Sequence, residues 1–322
     1  MLGGKNMKYG VLGQTGLKVS ELCFGVLPMG PLQTNVSTQD GGDLLLEAMN
    51  NGINFFDTAQ MYRTYPHLRH ALDNYHNDVI ITSKSTAADY AGMEAAIQEA
   101  LKELKRDYID IFLLHAARVE DSPIEKRPGA WECLMDYKQK GYIRAIGASS
   151  HAVSAVQALT KVSEVDVIFA LLNKASLGII GGNADDMKEA LLAASAAGKG
   201  IYSMKLLAGG SLLDDICDAI AYGRAIPQLT SHAVGMVRPL ELALNLRIFN
   251  DEPIAKEELS GLKNGKTWAL MSSLCRGCGH CISTCPSFAL QMQDGKPTVD
   301  ESKCLLCGYC AADCPEFAIR VK

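Results

Sequence analysis

The sequence predicts an α/β fold, a (β/α)8 TIM barrel, followed by a second, much smaller cysteine-rich domain. Three observations carry this. Short apolar runs alternate with helical patterns from about residue 20 to residue 248. Those runs are apolar on both faces, and strands buried on both sides pair in parallel through helical crossovers. Eight of the 11 cysteines then fall between Cys275 and Cys314. An open doubly wound sheet is the alternative for the first part. It would carry a glycine-rich fingerprint after its first strand, and none follows Leu22–Val26.

The units follow in order. After Leu22–Val26, Asp40–Asn51 reads as a helix because Leu44, Leu45, Leu46 and Met49 supply a buried side. Ile53–Phe56 and Val79–Thr82 read as strands, Met93–Lys105 as a helix and Ile109–Leu114 as a fully apolar strand. A helix over Pro123–Lys140, a strand at Ile143–Ala148 and a helix at Val153–Leu159 come next. Val165–Leu171, a helix over Asp185–Ala197 and Gly200–Met204 continue the series. Asp214–Tyr222 and Thr230–Val234 form a weaker pair, and Leu240–Phe249 is the last helix, apolar on most sides. Such a series matches a closed barrel of roughly 250 residues. Gly10, Gly13 and Gly16 precede the first strand and read as a hairpin turn in YGVLGQTGLKVS. Gly209-Gly210 reads as a turn opening the seventh helix, although a helix start is also where a pyrophosphate sits. The polar stretch 251–268 reads as a helical linker. This divides the chain into a barrel at 1–250, the linker, and a cysteine domain at 269–322.

An apolar share of 48% and a charged share of 21% are those of a globular chain. The net charge of −5 argues against a nucleic-acid partner. No apolar run approaches the roughly 18 residues that span a bilayer, and MLGGKNMKYG lacks the apolar core of a secretory signal. The expectation is a soluble, cytoplasmic protein without a membrane partner. In that compartment, clustered thiols are metal ligands rather than disulfides. Cys23, Cys133 and Cys217 stand alone in apolar stretches and read as core side chains.

Cys275-x2-Cys278-x2-Cys281-x3-Cys285-Pro286 recurs as Cys304-x2-Cys307-x2-Cys310-x3-Cys314-Pro315, an internal duplication. The three closely spaced thiolates of each run can wrap one cluster, and the fourth, just before proline, ligates the other. Two zinc sites of four thiolates are the alternative, but these favour paired C-x2-C units with longer spacers. His280 falls inside the first run and reads as an exposed neighbour. So short a segment cannot hold its fold by core burial alone, so the clusters must contribute. The last fifty or so residues resemble bacterial ferredoxins with two 4Fe–4S clusters. The resemblance implies a small α+β ferredoxin-like domain. In it Cys275, Cys278, Cys281 and Cys314 hold one cluster, and Cys304, Cys307, Cys310 and Cys285 the other.

In the barrel, GINFF ends at Asp57, VIITS at Lys84 and IDIFLL at His115, with Tyr62 in the loop just beyond Asp57. Active sites of such barrels assemble at the carboxyl ends of the strands. The four suit proton transfer to or from an oxygen. A tyrosine hydroxyl ordinarily titrates near pH 10, and the Lys84 ammonium would favour its phenolate. Asp57 would keep Lys84 charged and aimed, and His115 could donate to a carbonyl oxygen as charge develops there.

GQTGLKVSELCFG, GINFFDTAQMY, ITSK, LLH and YIRAIGASS resemble an aldo-keto reductase over about residues 8–248. The resemblance implies that Tyr62 is the general acid, set among Asp57, Lys84 and His115. It further implies a nicotinamide cofactor, NADPH or NADH, and a small-molecule carbonyl or alcohol substrate. Ser149 matches the serine on the nicotinamide carboxamide, with Ser150 where the family has Asn. Tyr202 matches the aromatic ring that stacks on the nicotinamide, followed by Met204-Lys205 instead of Pro-Leu. Phe169 stands where a Gln contacts the carboxamide. In GMVRPLELALNL, Arg238 and Asn245 fit the grip on a 2′-phosphate, but Glu241 replaces Arg and Met236 replaces Ser or Thr. A carboxylate at 241 repels phosphate and accepts a ribose hydroxyl, so NADPH and NADH both stay open. Met61, Arg63, Tyr65 and Arg118 are candidates for substrate contact, and either arginine could hold a carboxylate.

Hydride carries two electrons, a cluster passes one, and nothing resembles a flavin site. Three functions are consistent with that. The leading one is a carbonyl reductase whose ferredoxin domain docks, stabilises or caps the site, taking the place of the family's long C-terminal substrate loop. The second is a ferredoxin-linked reductase that draws electrons from a redox partner protein for radical chemistry. The third is a non-catalytic electron-transfer module. Oxygen-sensitive clusters point to an anaerobic or microaerobic source.

Overall fold

Strands apolar on both faces are covered only by closing on one another and taking helices outside, and the chain does both. The computed structural model describes residues 7–262, 267–316 and 318–321; the linker positions 263–266 lie outside the described residues. Leu22–Gly25, Phe55–Asp57, Ile80–Ser85, Ile109–His115, Ile143–Ser150, Val167–Leu171, Gly200–Met204 and Ser231–Gly235 form one closed barrel. Each strand is parallel to the next, and the last pairs back to the first through Gly235 and Gly25.

The lumen is filled by Cys23, Phe55, Ile111, Leu113, Val167, Phe169 and Tyr202. Leu12, Leu17 and Val19, from the antiparallel hairpin Tyr9–Val11 and Lys18–Ser20, seal its amino end. A larger core of Leu, Ile, Val and Phe lies between strands and helices.

Several expectations shift. The second and third barrel strands run past their apolar stretches, so Asp57 and Lys84 are themselves in the ladder, opposite Thr82 and Leu113. A helix at Tyr65–Asp73 was not foreseen; it is short, opens with Pro66 and buries Tyr65, His67, Leu68 and Ala71. The stretch read as one helix over Pro123–Lys140 is two, Pro123–Lys126 and Pro128–Gln139, because Pro128 has no N–H to continue the first. Cys23 and Cys133 are buried as expected, but Cys217 is exposed. In the helix Ile216–Arg224 the buried stripe is Ile216, Ala219, Ile220 and Gly223, and position 217 falls off it.

His232, in the last barrel strand, meets the Ser203 hydroxyl at 2.8 Å. Burial and the Arg224 charge push its pKa down to about 3. The folded value lies below the unfolded one near 6.5, so the fold prefers neutral His232. Its contribution is therefore complete above about pH 6.5 and lost as pH falls toward 3. Unfolding free energies of the wild type and of His232→Gln, measured from pH 7 to 4, are expected to diverge by about 1.4 kcal/mol per pH unit below 6.5. Parallel curves would remove His232 as the cause.

The C-terminal domain pairs Trp268–Leu270 with Ile319–Val321, and Leu290–Gln293 with Lys296–Val299, both antiparallel. Short helices at His280–Thr284 and Tyr309–Ala312 stand in equivalent places of its two halves. Trp268, placed in the linker from sequence, belongs to this domain's first strand. The domain sits over the carboxyl end of the barrel, and glycines allow the approach. A Cβ on Gly209, at φ 72°, would lie 1.9 Å from the Leu305 carbonyl oxygen, and one on Gly308, at φ 79°, 2.2 Å from that of Leu32.

Candidate active site

The ladder lifts Asp57, Lys84 and His115 to one end of the lumen. Lys84 Nζ donates to Asp57 Oδ1 at 2.7 Å and to the Thr58 carbonyl at 2.6 Å, and both charged side chains are buried. Burial pulls Lys84 below and Asp57 above their ordinary values, and the contact between them opposes both shifts. Tyr62 follows in a 3-10 turn, Gln60–Tyr62, ended by Arg63 at φ 55°. Lys84 Nζ lies 5.0 Å from the centre of the Tyr62 ring. His115 stands edge-on to Tyr62, with ring centres 5.7 Å apart.

The electrostatics differ from expectation at Tyr62. Its pKa is raised well above 10, first by burial and then by Tyr309 and Asp57. Burial outweighs any help that the Lys84 ammonium, engaged by Asp57 and Thr58, gives the phenolate. Burial, then the charges of Lys84 and Arg127, hold His115 far below its ordinary value, so the imidazole is neutral.

Sequence reasoning missed Tyr309. This residue lies between Cys307 and Cys310, yet its hydroxyl reaches Tyr62 Oη at 3.3 Å and His115 Nε2 at 3.1 Å. It packs with Ala59 and Tyr62. No local signal marks it, since only the docking of the two domains brings it to the barrel.

A cavity opens beside these groups. Asp57, Tyr62, Phe169 and Met204 line it at the catalytic end, and Glu241 and Asn245 line it at the other. Leu305, Leu306, Cys307 and Tyr309 form a wall from the C-terminal domain. Gly209 and Gly210 also line it, ahead of the Ile216–Arg224 helix. The Lys205 ammonium, also on the lining, is shielded from solvent and has no hydrogen-bond partner among the described residues.

Of the five cofactor residues named from sequence, Asn245 alone lines this cavity. Ser149 Oγ donates to the Leu114 carbonyl at 3.4 Å, and Ser150 Oγ accepts from the Ala152 amide at 3.0 Å. Tyr202 is a correction. Its ring lies flat on Phe169 at 4.0 Å and its hydroxyl donates to Asp57 Oδ2 at 3.0 Å, so it belongs to the lumen. Strand alternation puts Met204 on the same side one layer higher, and Met204 with Phe169 takes the cavity-facing place. Arg238 is tied to Glu241, whose other oxygen accepts from the Val237 amide at 2.7 Å and caps the last helix.

The substrate-contact candidates also stand elsewhere. Tyr65 is buried on Ser83 Oγ at 2.6 Å, Arg63 is exposed, and Arg118 covers the Phe288 ring at 4.7 Å. Met61 packs beside Tyr62 and Tyr309 behind the wall.

The eight repeated cysteines divide as the ferredoxin resemblance implies. Cys275, Cys278, Cys281 and Cys314 line one pocket, and Cys285, Cys304, Cys307 and Cys310 another. Four thiols on each pocket match the ligand number of a 4Fe–4S cluster. The Ala289 amide points at Cys285 Sγ at 3.3 Å and the Ala318 amide at Cys314 Sγ at 3.2 Å, equivalent bonds that favour thiolates. His280, as expected, lies exposed beside the first pocket.

The sequence model of the aldo/keto reductase family matches residues 21–225, and that of a 4Fe-4S dicluster domain matches residues 274–318. An uncharacterized oxidoreductase of Bacillus subtilis, YqkF, is 30% identical over 169 residues, 48% of this chain and 52% of that protein. The L-galactose dehydrogenase of Arabidopsis thaliana is 32% identical over 149 residues, 42% of this chain and 46% of that one. The chain thus spans about half the length of the curated relatives it matches. A putative aldo-keto reductase of Pseudomonas aeruginosa, PA4992, superposes with a TM-score of 0.63 at 25% identity, covering 76% of this chain and 94% of that structure. The matched segment contains the strand ends that carry Asp57, Lys84 and His115, together with Tyr62, and the chain belongs to the aldo/keto reductase family, with a 4Fe–4S dicluster domain following its barrel in sequence.

Proposed function

We propose that the barrel interconverts a small carbonyl compound and its alcohol with a nicotinamide dinucleotide. One observation carries this reading: an oxygen, that of Tyr309, already rests between the Tyr62 hydroxyl and His115 Nε2 at 3.3 and 3.1 Å. A carbonyl oxygen in that seat meets one group that can give it a proton and another that can stabilise developing negative charge. Burial keeps Tyr62 protonated at neutral pH, as an acid in reduction must be. Neutral His115 can donate from Nε2, and the Lys84–Asp57 pair fixes the floor behind them. A bound nicotinamide supplies the hydride. Phe169 and Met204 give its flat ring an apolar wall, Lys205, without a hydrogen-bond partner among the described residues, is placed to donate to its phosphates, and Asn245 and Glu241 receive the adenosine end. The same reading gives the C-terminal domain two clusters, one per set of four cysteines.

Carbonyl-dependent oxidation of NADH and of NADPH, across short aldehydes and ketones, tests the reading; no turnover with either cofactor would end it. Because Glu241 occupies Arg238, Glu241→Gln is expected to raise kcat/KM for NADPH relative to NADH about tenfold, the scale of one charge-assisted hydrogen bond. An unchanged ratio would leave Arg238 outside the cofactor site.

A second reading draws electrons singly through the clusters from a redox partner protein. It is favoured by Cys307, a cluster ligand that lines the same cavity as Asp57 and Tyr62. Anaerobic titration with each nicotinamide separates the two readings. Bleaching of the cluster absorbance supports electron exchange, and a constant spectrum with carbonyl turnover supports the barrel working alone.

A further inference from the structure

We propose that the iron–sulfur domain is the substrate gate of the barrel, with Tyr309 as its specificity-determining residue. The Tyr309 hydroxyl holds the seat of the substrate oxygen and must be displaced before a carbonyl compound binds. This rests on the carbonyl reading above and adds what controls entry.

The geometry carries the inference in three steps. First, the seat is singular. One oxygen contacts Tyr62 Oη and His115 Nε2 together, and while Tyr309 supplies it no substrate oxygen can. Second, the displaced part is the side chain rather than the domain. Leu305 and Gly308 press their backbones against Gly209 and Leu32, and Leu305 packs on Leu171 and Ala208, so the loop is wedged between two barrel loops. The Gln33 amide also reaches the Cys307 carbonyl at 3.4 Å. Third, Tyr309 lines the cavity beside Leu305 and Leu306, so its side chain stands at the border of open space rather than inside a packed core. The Lys205 ammonium, 5.8 Å from the ring centre, waits on that side. A ligand thus competes with two neutral hydrogen bonds and the ring's packing. Compounds whose oxygen lies at the end of a flat apolar body replace both the phenol oxygen and its ring, and these are the class the gate admits.

The test uses Tyr309→Phe and Tyr309→Ala, purified anaerobically, with iron content and cluster absorbance matching the wild type. The probe is 4-fluoroacetophenone, whose binding is followed by 19F NMR without nicotinamide, and whose reduction is followed with it. Phe removes the two hydrogen bonds and keeps the ring, so binding is expected to tighten roughly tenfold. Ala also removes the ring and is expected to tighten it further, with kcat/KM rising in parallel through KM. Unchanged or weaker binding in both variants would overturn the gate, as would a hundredfold fall in kcat for Tyr309→Phe, which would mark a proton-transfer role instead. Tighter binding without any turnover keeps the gate and ends the carbonyl-reductase reading. Turnover without tighter binding does the reverse.

Discussion

Tyr62→Phe is expected to lower carbonyl turnover about a thousandfold while leaving the cluster spectrum and its redox titration unchanged. A positioned general acid contributes roughly a hundred- to ten-thousandfold. The change removes one oxygen and retains the ring, which packs on Ala59 and Tyr309 and keeps the Lys84 ammonium 5.0 Å from its centre. The fold is therefore undisturbed, and the loss falls on kcat. Substitution of Lys84 or Asp57 would be far less informative. Each leaves an uncompensated charge in the buried floor, where breaking such a pair costs about 3–5 kcal/mol. Steady-state reduction of one ketone by wild type and variant, with the iron–sulfur absorbance recorded alongside, is the measurement. A loss below tenfold would move proton donation away from Tyr62. A wild type inert to carbonyls but normal in cluster titration would favour the electron-transfer module.

Much of this site was legible because it is written at strand ends. A polar residue closing an apolar run is a local signal, and Asp57, Lys84 and His115 each gave one. The three close cysteines of each set were legible for a similar reason, as their spacing is set by the chain itself, while the crossing of Cys285 and Cys314 came from the ferredoxin resemblance. What escaped depended on layers and docking. Tyr202 and Met204 alternate onto the same side of one strand, and only the barrel's depth decides which faces the cavity. Ser149 matches in sequence and Ser150 stands where the family has Asn, yet both hydroxyls are engaged, with the Leu114 carbonyl and the Ala152 amide. Glu241 was read for its charge toward a cofactor, but its first duty is to cap a helix and hold Arg238. Tyr309 is the extreme case, since its role arises from a contact spanning 247 residues of sequence.

Removing iron is expected to unfold residues 268–321 and leave the barrel folded. The buried cluster of the C-terminal domain consists of Cys281, Cys285, Ala289, Leu290, Cys310 and Ile319. Three of these six are the thiols themselves. Besides those thiols the cluster holds only Ala289, Leu290 and Ile319, too little apolar surface to hold a segment of this size by itself. Contacts of Leu305 and Tyr309 with the barrel add to the favourable side but involve one loop. Metal–thiolate bonds must supply the difference, as folding free energy does in small metal-held domains generally. The barrel has no such dependence, with its lumen and its outer core both built from its own strands and helices. Limited proteolysis before and after anaerobic chelation, read by mass spectrometry, is the measurement. Cleavage is expected throughout the C-terminal domain, with a resistant barrel fragment remaining. A C-terminal domain that stays protease-resistant without iron would mean that docking to the barrel, rather than its clusters, holds it together. If the domain unfolds as expected, Tyr309 leaves Tyr62 and His115 at the same moment, so cluster assembly also decides whether the gate exists.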